Sequence, residues 1–322
     1  MIVKNPDMYV VTGTRRSGTT LLQAIFNAHP DVCSPPESHF FREYIVSGKW
    51  ERLFKRGGIR AVVDNLRRNE DFGRLHIDAE EIAGMCRENN IDITAGNFFM
   101  MSLSLFANTM GKKKIAEKDP FYIECLPFVE KVFPDAYIIH IIRDPRDVVL
   151  SLKKVKWANA DVAQHSYYYR ERVPPARRFG EENFGAKYVE IFYEDLLRHP
   201  EREIKRLCGR LGLDFREEML KFHEHSDRIY VPGEVEWKNN IRRPIMSDNL
   251  GKWRTELTEG EVYKVETVCK RCFDELPYEL SGHSRRLGGA YRSWLTAQIF
   301  FMYLKKAVWK IVDKAQHGRK HE

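Results

Sequence analysis

Short apolar runs alternate with segments of helical periodicity along the first 200 residues. Residues 8–12 (Met-Tyr-Val-Val-Thr) and 136–142 (Ala-Tyr-Ile-Ile-His-Ile-Ile) are continuous apolar runs, typical of strands buried in a parallel sheet. Further strand and helix candidates are residues 31–37, 114–120 and 187–192 (strands), and 19–28 and 121–133 (helices). This alternation predicts an α/β fold with a doubly wound, mostly parallel sheet, which binds ligands at the carboxyl ends of its strands.

Two segments interrupt this alternation. Residues 40–110 are rich in helix-period apolar positions and basic residues, and predict a helical cap inserted into the sheet domain. Its large apolar side chains fit either an acceptor pocket or a core: Phe40, Phe41, Phe98, Phe99, Met100 and Met101. Residues 286–322 predict a C-terminal amphipathic helical tail, so we expect one main domain over residues 1–285 followed by this tail.

The segment after the first strand has the order strand, glycine-rich turn, helix. Such an order directs backbone N–H groups and the positive end of a helix dipole at an anion. Gly13 and Gly18 have the spacing of a Walker A loop, but Thr19 replaces its lysine and the positive charge lies at Arg15 and Arg16. The loop therefore predicts a phosphate-bearing donor with less charge on the transferred group than ATP has. A sulfuryl group on a 5′-phosphate is such a donor.

A second candidate anion site follows the strand 136–142. The strand ends at Arg143, Pro145 begins a helix, and Ser151 lies about two turns further on. Arg143 and the Ser151 hydroxyl can therefore surround one phosphate. The alternative is a capped helix start with a surface pair between Asp144 and Arg146.

Taken together, Arg16-Ser17-Gly18-Thr19-Thr20 and Arg143…Ser151 resemble the paired signature of sulfotransferases that use 3′-phosphoadenosine 5′-phosphosulfate (PAPS). In that family the first loop holds the 5′-phosphosulfate, and the Arg and Ser eight residues apart hold the 3′-phosphate. The likeness covers roughly residues 8–275 and is greatest to tyrosylprotein and carbohydrate sulfotransferases. Cytosolic phenol and steroid enzymes instead have a lysine in the loop and a catalytic histidine after a K-T-H segment.

The resemblance implies the catalytic groups. Glu37, 21 residues after Arg16, matches the glutamate base of the tyrosylprotein enzymes, although it could instead cap the next helix. His39 is the second candidate base and matches no family position. Lys118 matches the lysine that, with Arg16, neutralises charge on the leaving phosphate or the sulfuryl oxygens; the alternative is a surface lysine.

Further cofactor contacts come from the same resemblance. Tyr193 resembles the tyrosine that touches the nucleotide, with a core tyrosine as the alternative. Lys252 and Trp253 lie in a Gly-Lys-Trp segment that resembles the lid over PAPS. Arg242 and Arg243, in the charged stretch before it, are weaker candidates.

The reaction that we expect is in-line displacement of a sulfuryl group from PAPS onto an acceptor hydroxyl, with adenosine 3′,5′-bisphosphate leaving and no metal required. The acceptor is a carbohydrate, a lipid or glycolipid, or another small-molecule alcohol; a protein tyrosine is the alternative. A P-loop kinase that uses ATP and Mg²⁺ is a second alternative, in which Asp144 and Asp147 would hold the metal.

Composition adds three limits. A formal charge of +7 suits an anionic cofactor, an acidic substrate or a membrane surface, and no basic run with interleaved aromatics resembles a nucleic-acid module. The six cysteines are scattered, and Cys269 and Cys272 without a second pair indicate packing rather than a zinc site. The N-terminus leads directly into the first strand without a signal peptide, so we expect a cytoplasmic protein with reduced thiols.

The tail has the pattern of a helix that lies at a membrane surface. Over residues 291–314, an apolar stripe contains Ala297, Phe301, Leu304, Val308 and Ile311, and lysines lie towards the other side. The apolar run is too short to span a bilayer. Peripheral membrane contact is one interpretation; a helix docked on the domain, or one that pairs two subunits in a homodimer, is the alternative.

Overall fold

The computed structural model describes residues 7–155, 158, 161–224, 243–245, 249–282 and 287–318, with side chains up to residue 304 in the last helix. The chain divides into two compact units. Unit 1 contains Met1–Ile142 and Ala176–Asp248, and unit 2 contains Arg143–Pro175 and Asn249–Glu322. The predicted boundary at residue 285 stays a prediction.

The described part of unit 1 contains a five-stranded sheet of order β2-β3-β1-β4-β5, in which all four pairings are parallel. The strands are β1 (Met8–Thr12), β2 (Val32–Cys33), β3 (Lys114–Lys118), β4 (Tyr137–Ile142) and β5 (Tyr188–Phe192). β1 lies in the middle, with Val11 beside Lys118 of β3 and Thr12 beside His140 of β4. The predicted doubly wound parallel sheet is confirmed.

Helical segments cover both faces of this sheet. Tyr9 of β1 stacks on Phe26 of helix α1 (Thr19–Ala28), with ring centroids 6.1 Å apart. Glu117 of β3 lies on the opposite face, where its carboxylate accepts a hydrogen bond of 3.0 Å from the Tyr122 hydroxyl. The sheet is therefore buried on both sides, which explains why its central strands are continuously apolar.

The segment between β2 and β3 is helical, as expected for the cap. It contains a π-helical turn (Phe41–Val46), α2 (Lys49–Leu66, kinked at Gly57 and Gly58), α3 (Glu70–Gly73), α4 (Ala79–Glu88) and α5 (Ala95–Thr109). The aromatic residues of the segment form its core, because Phe40 stacks on Phe99 at 4.9 Å and on Tyr44 at 4.8 Å. Phe40, Phe41, Phe98 and Phe99 are all buried, so the core alternative is the correct one for these residues.

The helix predicted over residues 121–133 is two elements. A 3₁₀ helix (Pro120–Glu124) is followed by α6 (Leu126–Val132), and Asp119 caps the first by accepting from the Phe121 N–H at 2.8 Å. Pro127 lies in the first turn of α6, where a proline is tolerated and where a continuous helix would lose a hydrogen bond. Further helices in the described part of unit 1 are α10 (Tyr193–Arg198) and α11 (Pro200–Leu211), with 3₁₀ turns at Gly185–Lys187 and Glu217–Met219.

Unit 2 is helical in its described residues. It contains α7 (Pro145–Lys153), α8 (Val162–Arg170), α12 (Trp253–Glu256), α13 (Glu259–Val268), α14 (Lys270–Glu275) and α15 (Gly289–Gly318); α9 (Val173–Phe184) crosses the boundary between the units. Ile299 and Met302 of α15 pack against Ala163 and Val268. The opposite side of α15 exposes Trp294, Phe300, Phe301 and Leu304. Among the described helices, none is both long enough and apolar enough to cross a membrane.

Candidate active site

The loop between β1 and α1 has the backbone of an anion-binding turn. Arg16 adopts φ 71°, a left-handed conformation that non-glycine residues rarely have, and Gly18 adopts φ 108°. The Ser17 N–H and hydroxyl both donate to the Thr14 carbonyl, at 3.1 and 2.5 Å. These bonds close a tight turn directly before α1. The unpaired N–H groups at the N-terminus of α1 therefore lie next to the loop, where an anion could accept from them.

Several features of the loop fit a bound phosphosulfate. The first turn of α1 contains no acidic residue, and its N-cap residue is Gly18, which has no side chain to accept from the first N–H groups of the helix. The Thr14 hydroxyl is buried and has no hydrogen-bond partner among the described residues. A Cβ added at Gly18 would lie 2.5 Å from the Tyr193 ring, so Tyr193 packs directly on the loop. Tyr193 is therefore beside the loop, as predicted, although its contact with a nucleotide stays a prediction.

Three hydrogen bonds hold the segment that carries Glu37. The Gln23 side chain of α1 donates to the Pro35 carbonyl at 2.7 Å, and the Ser34 hydroxyl donates to the Ala116 carbonyl of β3 at 2.5 Å. The Arg74 guanidinium donates to the Glu37 carbonyl at 3.3 Å. The next helical turn (Phe41–Val46) begins after Phe40, three residues beyond Glu37.

Glu37 and Lys118 form an ion pair through the Lys118 ammonium and Glu37 Oε1. Lys118 is the last residue of β3 and is completely buried, whereas the Glu37 side chain is 21% exposed. The surface-lysine alternative is therefore wrong for Lys118. Because β1 and β3 are parallel neighbours, this pair lies at the same edge of the sheet as the start of the loop. The structure thus brings a carboxylate, an ammonium and an anion-binding turn together.

His39 and Asp119 lie next to this pair. His39 Nδ1 is 3.3 Å from Asp119 Oδ2, and a carboxylate oxygen of Glu37 lies within 4.8 Å of the ligating atoms of both. Glu37 is already bound to Lys118, and Asp119 binds both His39 and the Phe121 N–H. The prediction that no metal is required stays a prediction.

Unit 2 carries the second predicted anion group. Arg143 follows directly after β4, and Ser151 lies in α7, which begins at Pro145 as expected. The Arg143 guanidinium donates to the Asn249 carbonyl at 3.0 Å, and the Arg143 carbonyl accepts from the Tyr169 hydroxyl at 2.7 Å. Arg143 is therefore held through both its side chain and its backbone.

Comparison with known proteins decides the family. The model of the sulfotransferase family matches residues 9–217. The chain belongs to the sulfotransferase family. Membership was predicted from the loop and the Arg143…Ser151 motif, and it makes the chain a transferase of sulfur-containing groups.

Individual relatives are distant. The sulfotransferase is 25% identical over 265 residues to protein-tyrosine sulfotransferase 1 of Danio rerio (78% of this chain, 66% of the relative). It is 24% identical over 271 residues to protein-tyrosine sulfotransferase A of Caenorhabditis elegans (80% and 64%), so it spans less than two thirds of both. It shares its fold with the solved sulfotransferase domain from the curacin biosynthetic pathway, with a TM-score of 0.61, 17% identity, and 86% and 99% of the two chains covered.

Asp144 and Asp147 of the sulfotransferase form hydrogen bonds and an ion pair with other groups of the protein. Asp144 caps α7 through the Arg146 N–H at 2.8 Å and pairs with the Arg146 guanidinium at 2.7 Å. Asp147 accepts from the Gly251 and Trp253 N–H groups at 2.8 and 3.0 Å. The pair of Asp144 and Arg146 is buried rather than at the surface.

Arg146 connects distant segments of unit 2, which its sequence motif did not indicate. Its guanidinium also binds Glu266 at 2.8 Å and lies 3.9 Å from the centroid of the Trp253 ring. Trp253 is 2% exposed and packs with Leu150, Leu257 and Val262, which favours a structural role over the cofactor contact that the sequence suggested. The Gly-Lys-Trp motif had drawn attention to Trp253. One sequence does not show, however, that Trp253 contacts Arg146, which lies 107 positions earlier in the chain.

The cofactor contacts predicted for Lys252, Arg15, Arg242 and Arg243 stay predictions. Lys252 precedes α12 and is partly exposed, and Arg15 is exposed beside Arg16. Arg243 is exposed, and Arg242 lies outside the described residues.

Proposed function

We propose that the chain transfers a sulfuryl group from PAPS to an acceptor hydroxyl by in-line displacement, with Glu37 as the base. The ion pair of Glu37 with the buried Lys118, at the sheet edge where the loop begins, carries this proposal. Transfer to a hydroxyl requires a group that accepts its proton and a cationic donor that stabilises the leaving oxygen. Glu37 and Lys118 supply both functions side by side.

PAPS would supply an activated sulfuryl group whose leaving group is adenosine 3′,5′-bisphosphate. In this proposal the loop Arg15–Thr20, with the N-terminal N–H groups of α1, binds the 5′-phosphosulfate. Arg143 and Ser151 bind the 3′-phosphate, as the family resemblance implies, and Tyr193 and Lys252 provide further contacts. The buried Thr14 hydroxyl and the left-handed Arg16 support an anion at this loop.

The protein side of the reaction follows from the ion pair. Glu37 takes the acceptor proton and loses its negative charge. Its attraction for the Lys118 ammonium then weakens, so Lys118 is able to donate to the oxygen that leaves. Arg16 neutralises the charge that spreads over the sulfuryl oxygens. The burial of Lys118 strengthens its interaction with the leaving oxygen, because water screens a buried ammonium poorly.

We propose a carbohydrate, a lipid or glycolipid, or another small-molecule alcohol as the acceptor, with a protein tyrosine as the alternative suggested by the relatives. The test is incubation of the protein with labelled PAPS and a panel of four acceptors: chitotetraose, a galactosyl ceramide, a simple phenol and an acidic tyrosine peptide. We expect one acceptor to gain the mass of an SO₃ unit, and Glu37→Gln to abolish that gain. Transfer to none, with PAPS left intact, contradicts the proposal.

A kinase that uses ATP and Mg²⁺ is the rival function. In a kinase, Asp144 and Asp147 would hold Mg²⁺. Both carboxylates already bind groups of the protein, which disfavours that role. Titration calorimetry distinguishes the two functions. We expect adenosine 3′,5′-bisphosphate to bind with EDTA present, whereas tight binding of ATP only with Mg²⁺ would support the kinase.

We also propose that α15 contacts an anionic membrane surface. Its outward side exposes Trp294 (54%), Phe301 (59%) and Leu304 (48%). The sequence continues with Lys305, Lys306, Lys310 and Lys314, a charge that complements acidic lipid headgroups. The cytoplasmic localisation likewise remains a proposal.

Flotation with vesicles tests this contact. The double variant Trp294→Ser/Phe301→Ser of the full chain should lose binding to vesicles of phosphatidylcholine and phosphatidylserine, while Phe54→Ser, which removes an exposed aromatic residue of unit 1, should not. Equal flotation of all three proteins overturns the membrane contact. A concentration-dependent dimer that the double variant abolishes, without any vesicle binding, would favour the homodimer instead.

A further inference from the structure

We propose that His39, held by Asp119, is the positioning residue that orients Glu37 and relays its proton to solvent. This inference rests on the proposed function of Glu37 as base. It assigns a role to a histidine that matches no position of the family signature and to a carboxylate 80 residues away along the chain.

The geometry fixes the orientation of the imidazole. Asp119 is 6% exposed, and its Oδ1 accepts from the Phe121 N–H at 2.8 Å, so its carboxylate has one orientation. Oδ2 then faces His39 Nδ1 at 3.3 Å. An Nδ1 that faces a carboxylate carries a proton, which leaves Nε2 of the neutral ring as the proton acceptor. The Glu37 carboxylate belongs to the same 4.8 Å cluster.

The backbone at His39 is also unusual. Among the described non-glycine residues, positive φ values occur at Arg16, His39, His76 and Asn90, and two of these four adjoin the candidate site. Such a conformation has an energetic cost and persists where the surroundings enforce it. The bond to Asp119 holds the His39 ring beside Glu37, although the His39 side chain is still 20% exposed.

The charges around His39 favour its protonated form. Its hydrogen bond to Asp119 raises the pKa of the imidazole above its usual value, and the nearby Asp119 and Glu37 charges act in the same direction. Burial and the Arg42 guanidinium oppose them. Lys118 neutralises part of the Glu37 charge through its ion pair.

The proton balance of the reaction then closes. The acceptor oxygen forms a bond to sulfur, the bond between sulfur and the phosphate oxygen breaks, and the acceptor proton passes to Glu37. Neutral His39 accepts this proton at Nε2, becomes an imidazolium stabilised by Asp119, and releases the proton to solvent from its exposed side. Glu37 returns to the carboxylate for the next turnover.

His39→Asn is the sharpest variant, because asparagine tolerates a positive φ and cannot relay a proton. His76→Asn is the matched control, since His76 has φ 52°, lies in the same helical segment and is exposed. Using the acceptor that responds in the panel above, we expect kcat to fall about 100-fold in His39→Asn, the lower end of the range for acid–base groups. KM for PAPS and the melting temperature should match those of the control.

The pH profile separates a relay from a structural contact. Because the relay needs neutral His39, kcat should rise with pH through the His39 pKa. Asp119→Asn keeps the cap on the Phe121 N–H, but its amide N–H then faces His39 Nδ1 and favours the tautomer in which Nε2 already carries the proton. Its kcat should therefore fall towards that of His39→Asn, which should itself lose this rise of kcat with pH.

The outcomes are distinguishable. Equal kcat in His39→Asn and His76→Asn, or wild-type kcat in Asp119→Asn, overturns the relay while the loss of activity in Glu37→Gln still supports the proposed function. If the wild-type protein transfers no sulfuryl group from PAPS, both fall together.

Discussion

The edge of the sheet in unit 1 and the start of α7 in unit 2 use similar residues for different purposes. Both combine basic and acidic side chains that follow a buried parallel strand. In unit 1, Glu37 and Lys118 bind each other beside an anion-binding turn. In unit 2, Arg146 binds Asp144 and Glu266, and Asp147 binds the backbone of the segment 251–253. The same residue types at a strand end can therefore either adjoin an anion-binding turn, as Glu37 and Lys118 do, or bind other parts of the protein, as Asp144, Arg146 and Asp147 do.

The largest expected effect tests the functional side of this comparison. Glu37→Gln should lower kcat by about 10²–10⁴-fold, because the amide cannot take the acceptor proton. Its affinity for adenosine 3′,5′-bisphosphate should stay within about twofold of that of wild type. Steady-state kinetics and calorimetry measure the two quantities, with Glu51→Gln on the exposed face of α2 as the control. Unchanged kcat in Glu37→Gln would remove Glu37 from the mechanism.

The second effect tests the structural side. Arg146→Met should lower the free energy of unfolding by about 3–5 kcal/mol, because it leaves Asp144 and Glu266 buried without their cation. Arg254→Met is the control, since Arg254 also lies on the Trp253 ring, at 4.4 Å, but is exposed. Its cost should stay below about 1 kcal/mol. Urea denaturation measures both, and equal losses would contradict a structural role for Arg146.

The loop gives a smaller effect. Gly18→Ala should lower stability by about 1–3 kcal/mol and weaken nucleotide binding, because its Cβ would meet the Tyr193 ring and its φ is 108°. Gly209→Ala, in α11 with open space around it, should stabilise the protein by about 0.5–1 kcal/mol. Thermal unfolding and calorimetry check both variants. Full binding by a stable Gly18→Ala protein would show that the loop does not need this packing.

The last effect depends on pH and concerns the carboxylate that adjoins Lys118 in sequence. Burial raises the pKa of Glu117 from 4.5 to about 8. The folded state therefore holds a proton that the unfolded state releases, so this contribution to stability is complete below pH 4.5 and is lost as pH rises towards 8. The slope is at most about 1.4 kcal/mol per pH unit, and Glu117→Gln should remove it. Denaturation at several pH values measures the slope, and an unchanged slope in the variant would contradict this assignment.

The parts of the fold that local pattern determines were predictable. β1 and α1 begin and end where the apolar run and the glycine turn indicate, and the parallel sheet is the one that the continuous apolar runs predict. Glu37 and Lys118 were predicted separately from the family resemblance, and the structure shows that they pair. Contacts between distant residues were not predictable: one sequence does not show that Arg146 pairs with Glu266, or that His39 faces Asp119.

The central claim is that Arg16 and Arg143 both bind adenosine 3′,5′-bisphosphate. Titration calorimetry of the wild-type protein, Arg16→Ala and Arg143→Ala with this nucleotide, in EDTA, tests it most directly. We expect each substitution to weaken binding by about 10- to 100-fold, since each removes a charge-assisted contact to a phosphate. Wild-type affinity in either variant would contradict the account.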